Sequence, residues 1–223
     1  MENEIKAYYD NLAAEYDNDR FENSYGKYID KQEKTILRRL LKNQPKGFIL
    51  DIPCGTGRLL DFSTHGADIS PNMLAEAHNK YPDADLYECN ALNTIFDDGQ
   101  FNAILSFHFV MHLNTTDTKR FLNESYRILK PEGKIIFDFP SKQRRKFVNY
   151  KSEGWHASNH LSVNDIKQLD DRWKVTKHYG VLFFPIHRLP AGIRRFFTFF
   201  DSLMCRSLLK NYASYIVVEL QKK

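Results

Sequence analysis

The run "ILDIPCGTGRLL", residues 49–60, constrains this chain more than any other stretch. "GFILDI" is short, apolar and closed by an acid, the form of a strand buried on both faces of a sheet. Gly55 and Gly57 follow at once. Glycine takes up positive φ without a Cβ clash and lets the backbone come close to a ligand. A strand that enters a glycine turn and then a helix is where a parallel sheet binds nucleotide-like ligands. Pro53 fixes φ and removes one N–H, but it precedes both glycines and is expected to alter the turn without abolishing it.

The rest of the chain supplies the other layers of such a sheet. Helical spacing of apolar residues over 2–16 and about 24–42 places two helices before the first strand. After the glycines, "RLLDF" allows a turn or two of helix, and Ser70 with Pro71 starts a helix that runs to about Lys80. Residues 84–91, 101–109 and 134–139 read as strands. "DTKRFLNESYRILK" is an amphipathic helix between the last two, ended by the turn "KPEG". This alternation predicts an α/β domain with a mostly parallel sheet and helices on both faces.

Beyond residue 140 the rhythm breaks. "KQRRK" reads as a loop after the fifth strand, "VNDIKQLDD" as a short helix, and "WKVTKHYGVLFF" and "SYIVVEL" as strands. Residues 191–209 form a predicted helix with Ile193, Phe196, Phe197, Phe200, Leu203, Met204 and Leu208 on one face, expected to pack on the core. A greasy lid or an acidic membrane surface are the other uses of such a face.

Charge and cysteine usage narrow the class. Residues 1–129 carry 14 basic and 20 acidic side chains, and residues 130–223 carry 18 and 8. A second half net basic by ten is either a solvated surface or an attractor for an anionic substrate or acidic membrane. Cys54, Cys89 and Cys205 are odd in number and far apart, so neither a disulfide framework nor a zinc pattern is readable; "MENEIKAYYD" lacks the basic-then-apolar order of a signal peptide and no apolar run reaches membrane-spanning length, so the expected location is cytoplasmic. His156 and His160 stand four apart, but no third ligand is near and no metal is expected.

Asp68 sits at the end of the predicted second strand, where a carboxylate can take both hydroxyls of a ribose. A dinucleotide site wants a third glycine in G-x-G-x-x-G form. Arg58, Leu59 and Leu60 follow Gly57 instead, which counts against a nicotinamide oxidoreductase and suits a ligand without a pyrophosphate.

"ILDIPCGTG", "GADISPNMLAEA", "ECNA", "FNAILSFHFVMHL" and "RILKPEGKIIFDF", in this order, resemble the successive motifs of class I S-adenosylmethionine-dependent methyltransferases of the methyltransferase type 11 group. The resemblance covers roughly residues 7–140 and implies a single domain over 1–223, with an N-terminal helical lid over 1–43, a cofactor-binding core over 44–140, and an acceptor-side region over 141–223 with a helical insert at about 186–211. It implies a Rossmann-like seven-stranded sheet whose last strand is antiparallel. It implies S-adenosyl-L-methionine as cofactor and S-adenosyl-L-homocysteine as product. Asp51 and the loop Cys54, Gly55, Thr56 and Gly57 would then surround the methionine part, Asp68 the ribose, and Ile69 and Met73 the adenine. Asn90 and Ala91 would address the adenine edge, Ser106 and Phe107 would floor the sulfonium, and Tyr16 and Arg20 would belong to a lid, with Arg20 clamping a carboxylate. The chain departs from the family at Pro53, Asn90, Asn102 and Glu132 and in a short connection from Gly57 to Asp68.

His112 lies by resemblance near the methyl group, as the general base for a hydroxyl or acidic carbon. The expected acceptor is a small apolar or amphiphilic molecule methylated at oxygen, nitrogen or carbon. A nucleic acid is not expected, because "SFHF" stands where base-amine methylases carry Asn/Asp-Pro-Pro-aromatic. A methyl-donor sensor or partner subunit without catalysis is the non-enzymatic alternative.

Overall fold

The computed structural model describes residues 2–42, 44, 47–150 and 159–223. His156 therefore lies outside the described residues. Seven strands form one sheet: β1 (Ile49–Asp51), β2 (His65–Asp68), β3 (Asp85–Glu88), β4 (Phe101–Ser106), β5 (Leu129–Pro140), β6 (Trp173–Val181) and β7 (Tyr215–Lys222), in the order β3-β2-β1-β4-β5-β7-β6. Strands β1 to β5 pair parallel, and β7 runs antiparallel between β5 and β6. The central strands bury both faces, as in Leu50, Ile104 and Ile136. One apolar layer lies under α5 (Thr115–Ile128) and the other under α3 (Ser24–Leu40).

Helix ends follow local chemistry. Asn23 caps α3 by accepting from the Tyr25 and Gly26 N–H groups, and Asn114 caps α5 by accepting from Asp117 N–H. Ser70 caps α4 (Pro71–Lys80), with Pro71 in the first turn, where its missing N–H costs nothing. The N-terminal segment is α1 (Glu2–Leu12), a 3₁₀ turn at Ala13–Glu15 and α2 (Tyr16–Phe21), in place of one helix over 2–16. "KPEG" falls within β5 as an irregularity. Phe101 faces Leu129 and Ala103 faces Lys134, so the intervening residues bulge, with Glu132 at φ +61.

Two expectations beyond residue 140 are corrected. "KQRRK" is helical, α6 (Lys142–Phe147), because Ser141 Oγ accepts from Arg144 N–H and starts a turn. The late helix, α8 (Ala191–Met204), ends five residues early, and its aromatic row faces outward. A polar residue sets its orientation. Asp201 is fully buried and accepts from Tyr28 Oη at 2.8 Å, Gln32 Nε2 at 2.8 Å and Phe184 N–H at 2.6 Å. Satisfying that carboxylate against α3 turns Phe196, Phe199 and Phe200 away from the core. We expect Asp201→Ala to cost roughly 2–4 kcal/mol in urea denaturation, because buried donors lose their acceptor. Hydrogen exchange should quicken in α8 while β4 stays protected; a loss under about 0.5 kcal/mol, the scale of ordinary surface changes, would contradict this anchoring.

Candidate active site

The carboxyl ends of β1, β2 and β4 open into three adjoining chambers. The central one has a cavity volume of about 90 Å³ and is lined by the loop after β1, by Asp68 at the end of β2 and Ile69 beyond it, by Phe107 and His108 after β4, and by Tyr9, Tyr16 and Phe21 of the N-terminal helices. A second, toward β3, is lined by Ile5, Ile69, Asn90, Ala91, Leu92 and Arg120 among others. The third, toward α3, is walled by Tyr9, Tyr16, Phe21, Tyr25 and Tyr215, with Arg20 and Met111. His112 borders all three.

Asp68 builds the loop. Its buried carboxylate accepts from Gly55 N–H at 2.8 Å and Ser70 N–H at 2.9 Å. Gly55 has φ +53, and a Cβ there would meet nothing within 4 Å, so its bare face is open to the central chamber. Gly57, at φ +85, does not line the chamber; a Cβ there would press on Leu60, Tyr81 and Ala77 at 3.0–3.3 Å. One glycine clears space for a ligand, and the other lets the loop turn against α4. Pro53 forms a cis peptide with Ile52 and lines the wall between two chambers.

The N-terminal helices are fastened over this loop. Ser70 Oγ donates to Asp10 Oδ1 at 2.5 Å, Thr56 Oγ1 donates to Asp17 Oδ1 at 2.6 Å, and Lys80 joins Asp17 and the Thr56 carbonyl. Tyr16, Thr56, Cys54, Met73 and Phe107 thereby meet Asp51, Asp68 and Ile69 around one space. Arg20 lies in the α3-side chamber, 3.5 Å from the Tyr8 hydroxyl. Asn90 Oδ1 accepts from Leu92 N–H at 2.8 Å, so its oxygen is already engaged in its own turn. Ser106 is fully buried and lines none of the three chambers.

A side-chain set that sequence reasoning did not assemble backs the inner wall, with Arg58 and His108 on the chamber and Glu33 and Asp138 behind them. Glu33 of α3 is fully buried and pairs with Arg58 at 2.9 Å and His108 Nε2 at 3.1 Å; His108 Nδ1 lies 3.7 Å from Asp138. Arg58 also donates to Asp30 and stacks on Phe21, 4.6 Å from the ring centre. Burial alone would push the Glu33 carboxyl up, but His108 and Arg58 outweigh it and hold it down. Burial would lower the His108 pKa, and Glu33 and then Asp138 outweigh that and raise it. His108 has φ +57, and its N–H donates to Asp138 Oδ1 at 2.6 Å. The one sequence signal was Arg58 itself, standing after the second glycine.

These residues fit S-adenosylmethionine. The ligand is cationic at its sulfonium and ammonium groups, and the central chamber offers a bare backbone at Gly55 beside the buried carboxyls of Asp51 and Asp68. Burial pushes Asp51 up to about 8, against the Arg58 charge, and pushes Asp68 up to about 6, against hydrogen bonds from Ser70 and Gly55. Both carboxyls therefore gain from a cation placed between them.

Residues 50–137 match the methyltransferase domain family model. The chain is an S-adenosylmethionine-dependent methyltransferase. An uncharacterized protein of Methanocaldococcus jannaschii is 28% identical over 95% of this chain and 88% of its own length. A 2-phytyl-1,4-naphtoquinone methyltransferase of Trichormus variabilis is 29% identical, covering 86% of each chain. Among solved structures, magnesium protoporphyrin IX methyltransferase of Synechocystis with bound S-adenosylhomocysteine superposes at a TM-score of 0.67, with 12% identity and all of both chains covered, a likeness of fold. The methyltransferase uses S-adenosylmethionine as its cofactor.

Two outcomes check this geometry. Gly55→Ala should weaken S-adenosylhomocysteine binding about tenfold or more in calorimetric titration. Gly57→Ala should cost about 1–2 kcal/mol of stability and leave affinity nearly intact; the reverse pattern would contradict the division of labour. A carboxyl pKa raised on folding means the folded state holds its proton to higher pH, so stability falls between about pH 4 and pH 8. A bound cation relieves that loss, and the rise in melting temperature given by saturating S-adenosylmethionine should grow from about pH 6 to pH 8. A constant shift would remove Asp51 and Asp68 from contact with the cation.

Proposed function

We propose that this methyltransferase methylates a hydroxyl or an acidic carbon of a small, flat, apolar acceptor held in the α3-side chamber. The observation that carries the reading is the wall of that chamber, in which Tyr9, Tyr16, Tyr25, Tyr215 and Phe21 surround a cavity reached by His112. Burial pushes all four phenols up, so they stay neutral and present apolar rings. Such a lining suits a ring or polyene better than a sugar or a peptide.

In this reading Gly55, Thr56 and Asp51 hold the amino-acid end of the cofactor, with Tyr16 above it. Asp68 takes the ribose, and Ile69, Asn90 and Ala91 border the adenine in the β3-side chamber, with Met73 on the central-chamber side. Bound S-adenosylmethionine supplies a methyl group already activated by its sulfonium. The protein has to hold the acceptor in line, keep water out and remove one proton. Tyr9 Oη and His112 Nε2 lie 3.1 Å apart. A proton leaving the acceptor passes to the Tyr9 oxygen as Tyr9 gives its own to His112, and the acceptor oxygen or carbon is left with the electron pair that attacks. Arg20, at the rim of the same chamber, orients an acceptor oxygen.

The test is a panel of phenols, quinols and enols incubated with methyl-labelled cofactor, with transfer RNA and ribosomal RNA as parallel arms. Methylated small aromatics support the reading, and label in RNA alone would overturn it. With an acceptor in hand, His112→Gln should lower kcat by roughly 10²–10⁴, with Tyr9→Phe moving the same way. Unchanged kcat in both variants would rule out the relay.

A further inference from the structure

We propose that the face built from α6, α8 and the outer row of α3 docks on an anionic lipid bilayer, beside the mouth of the acceptor chamber. Among the described residues no helix is long and apolar enough to cross a membrane. A helix with an apolar face flanked by Lys and Arg is the form that lies in the plane of a membrane surface.

The apolar part of the face is a row of exposed rings, uncovered among the described residues. Phe196 is 64% exposed, Phe199 69% and Leu203 58%, and Phe200 stacks against both phenylalanines at 4.8 and 5.5 Å between ring centres. Asp201 holds the opposite side of α8 against Tyr28 and Gln32, so the row is fixed outward by a buried hydrogen-bond set and does not swing inward. The patch continues past the helix through Leu208, 97% exposed, to Tyr212, whose ring meets Phe147 of α6 at 6.4 Å.

The charge around the row has one sign. Residues 142–150 and 185–214 carry nine Lys and Arg and a single acid, the buried Asp201. Between α3 and α8 runs a cleft lined by Lys31, Arg39, Arg195 and Arg206 together with Thr198 and Phe199; its lining holds no carboxylate, and none of the four cations is paired with one among the described residues. Cations flanking an exposed aromatic ridge complement phosphate headgroups above acyl chains. Rings packed on one another along a helix offer a ridge to insert, whereas single-strand nucleic acid is held by rings separated so that bases stack between them.

The face adjoins the site. Tyr28, Lys31 and Gln32 of α3 line the cationic cleft, while Tyr25, Gly26 and Ile29 of the same helix line the acceptor chamber. Arg145 of α6 stacks on Tyr150 at 4.4 Å, and α6 follows directly on β5, whose Pro140 pairs with Tyr215 of the chamber wall. Docking there puts the chamber mouth at the depth where an amphiphilic acceptor resides. This last point rests on the proposed acceptor; the docking itself does not.

Sedimentation with vesicles tests docking alone. Wild-type protein should bind vesicles of equal phosphatidylcholine and phosphatidylglycerol at least tenfold more tightly than vesicles of phosphatidylcholine alone, and added salt should weaken that binding. Each basic residue near an anionic leaflet is worth roughly fivefold. Arg195→Glu with Arg206→Glu, and separately Phe196→Ser with Phe199→Ser, should each reduce binding more than tenfold. Both double variants should keep wild-type S-adenosylhomocysteine affinity, which separates failed docking from a failed active site. Equal binding to both vesicle types, or phenylalanine variants that bind as wild type, would overturn the proposal. So would a wild-type dimer in solution that Phe196→Ser with Phe199→Ser converts to a monomer, or tighter binding to transfer RNA than to the anionic vesicles.

Discussion

A single carboxylate, Asp68, ties the end of β1 to the end of β2. By accepting from Gly55 N–H and Ser70 N–H it fixes the glycine loop and the start of α4 at once. Ser70 passes the constraint on, since its hydroxyl accepts from Met73 N–H and donates to Asp10 of α1. The cofactor chamber, the helix below it and the helices closing it therefore share one buried anchor. Preorganisation of this kind sets the shape of a site before a ligand arrives, so less binding energy goes into ordering the loop.

Charge is apportioned between two sides of the chamber. On one side Glu33, Arg58, His108 and Asp138 form a nearly closed set of two carboxyls, a guanidinium and an imidazole, and removing one member leaves its buried partner uncompensated. On the other side Asp51 and Asp68 have only the more distant attraction of Arg58 and backbone donors to offset their burial. The asymmetry suits a ligand that carries its own positive charge at the sulfur. The sheet topology makes this possible by bringing the ends of β1, β2 and β4 together where their connections diverge to opposite faces.

Much of this was legible in the sequence, because the signals were local. An apolar strand closing on Asp51, glycines at 55 and 57, and Ser70–Pro71 before a helix are each written within a few residues, and each forms as read. The four-residue charge set was not legible, since its members come from α3, the glycine loop and the ends of β4 and β5, and no short window contains two of them. The role of Gly57 was misjudged for a related reason. Sequence shows that a glycine is present but not which side of it a neighbour occupies. For α8, periodicity gives two faces without saying which turns inward, and one buried acid decided against an apolar face whose Ile193, Phe196, Phe200 and Leu203 are left exposed. Ser106 and Arg20, placed by family resemblance, lie outside the central chamber.

The most direct measurement is a crystal structure with S-adenosylhomocysteine bound. The account requires the ribose at Asp68, the adenine between Ile69 and Ala91, and the amino-acid end over Gly55 and Thr56 below Tyr16. Density for the nucleoside in the α3-side chamber, or on a surface away from the loop after β1, would contradict it.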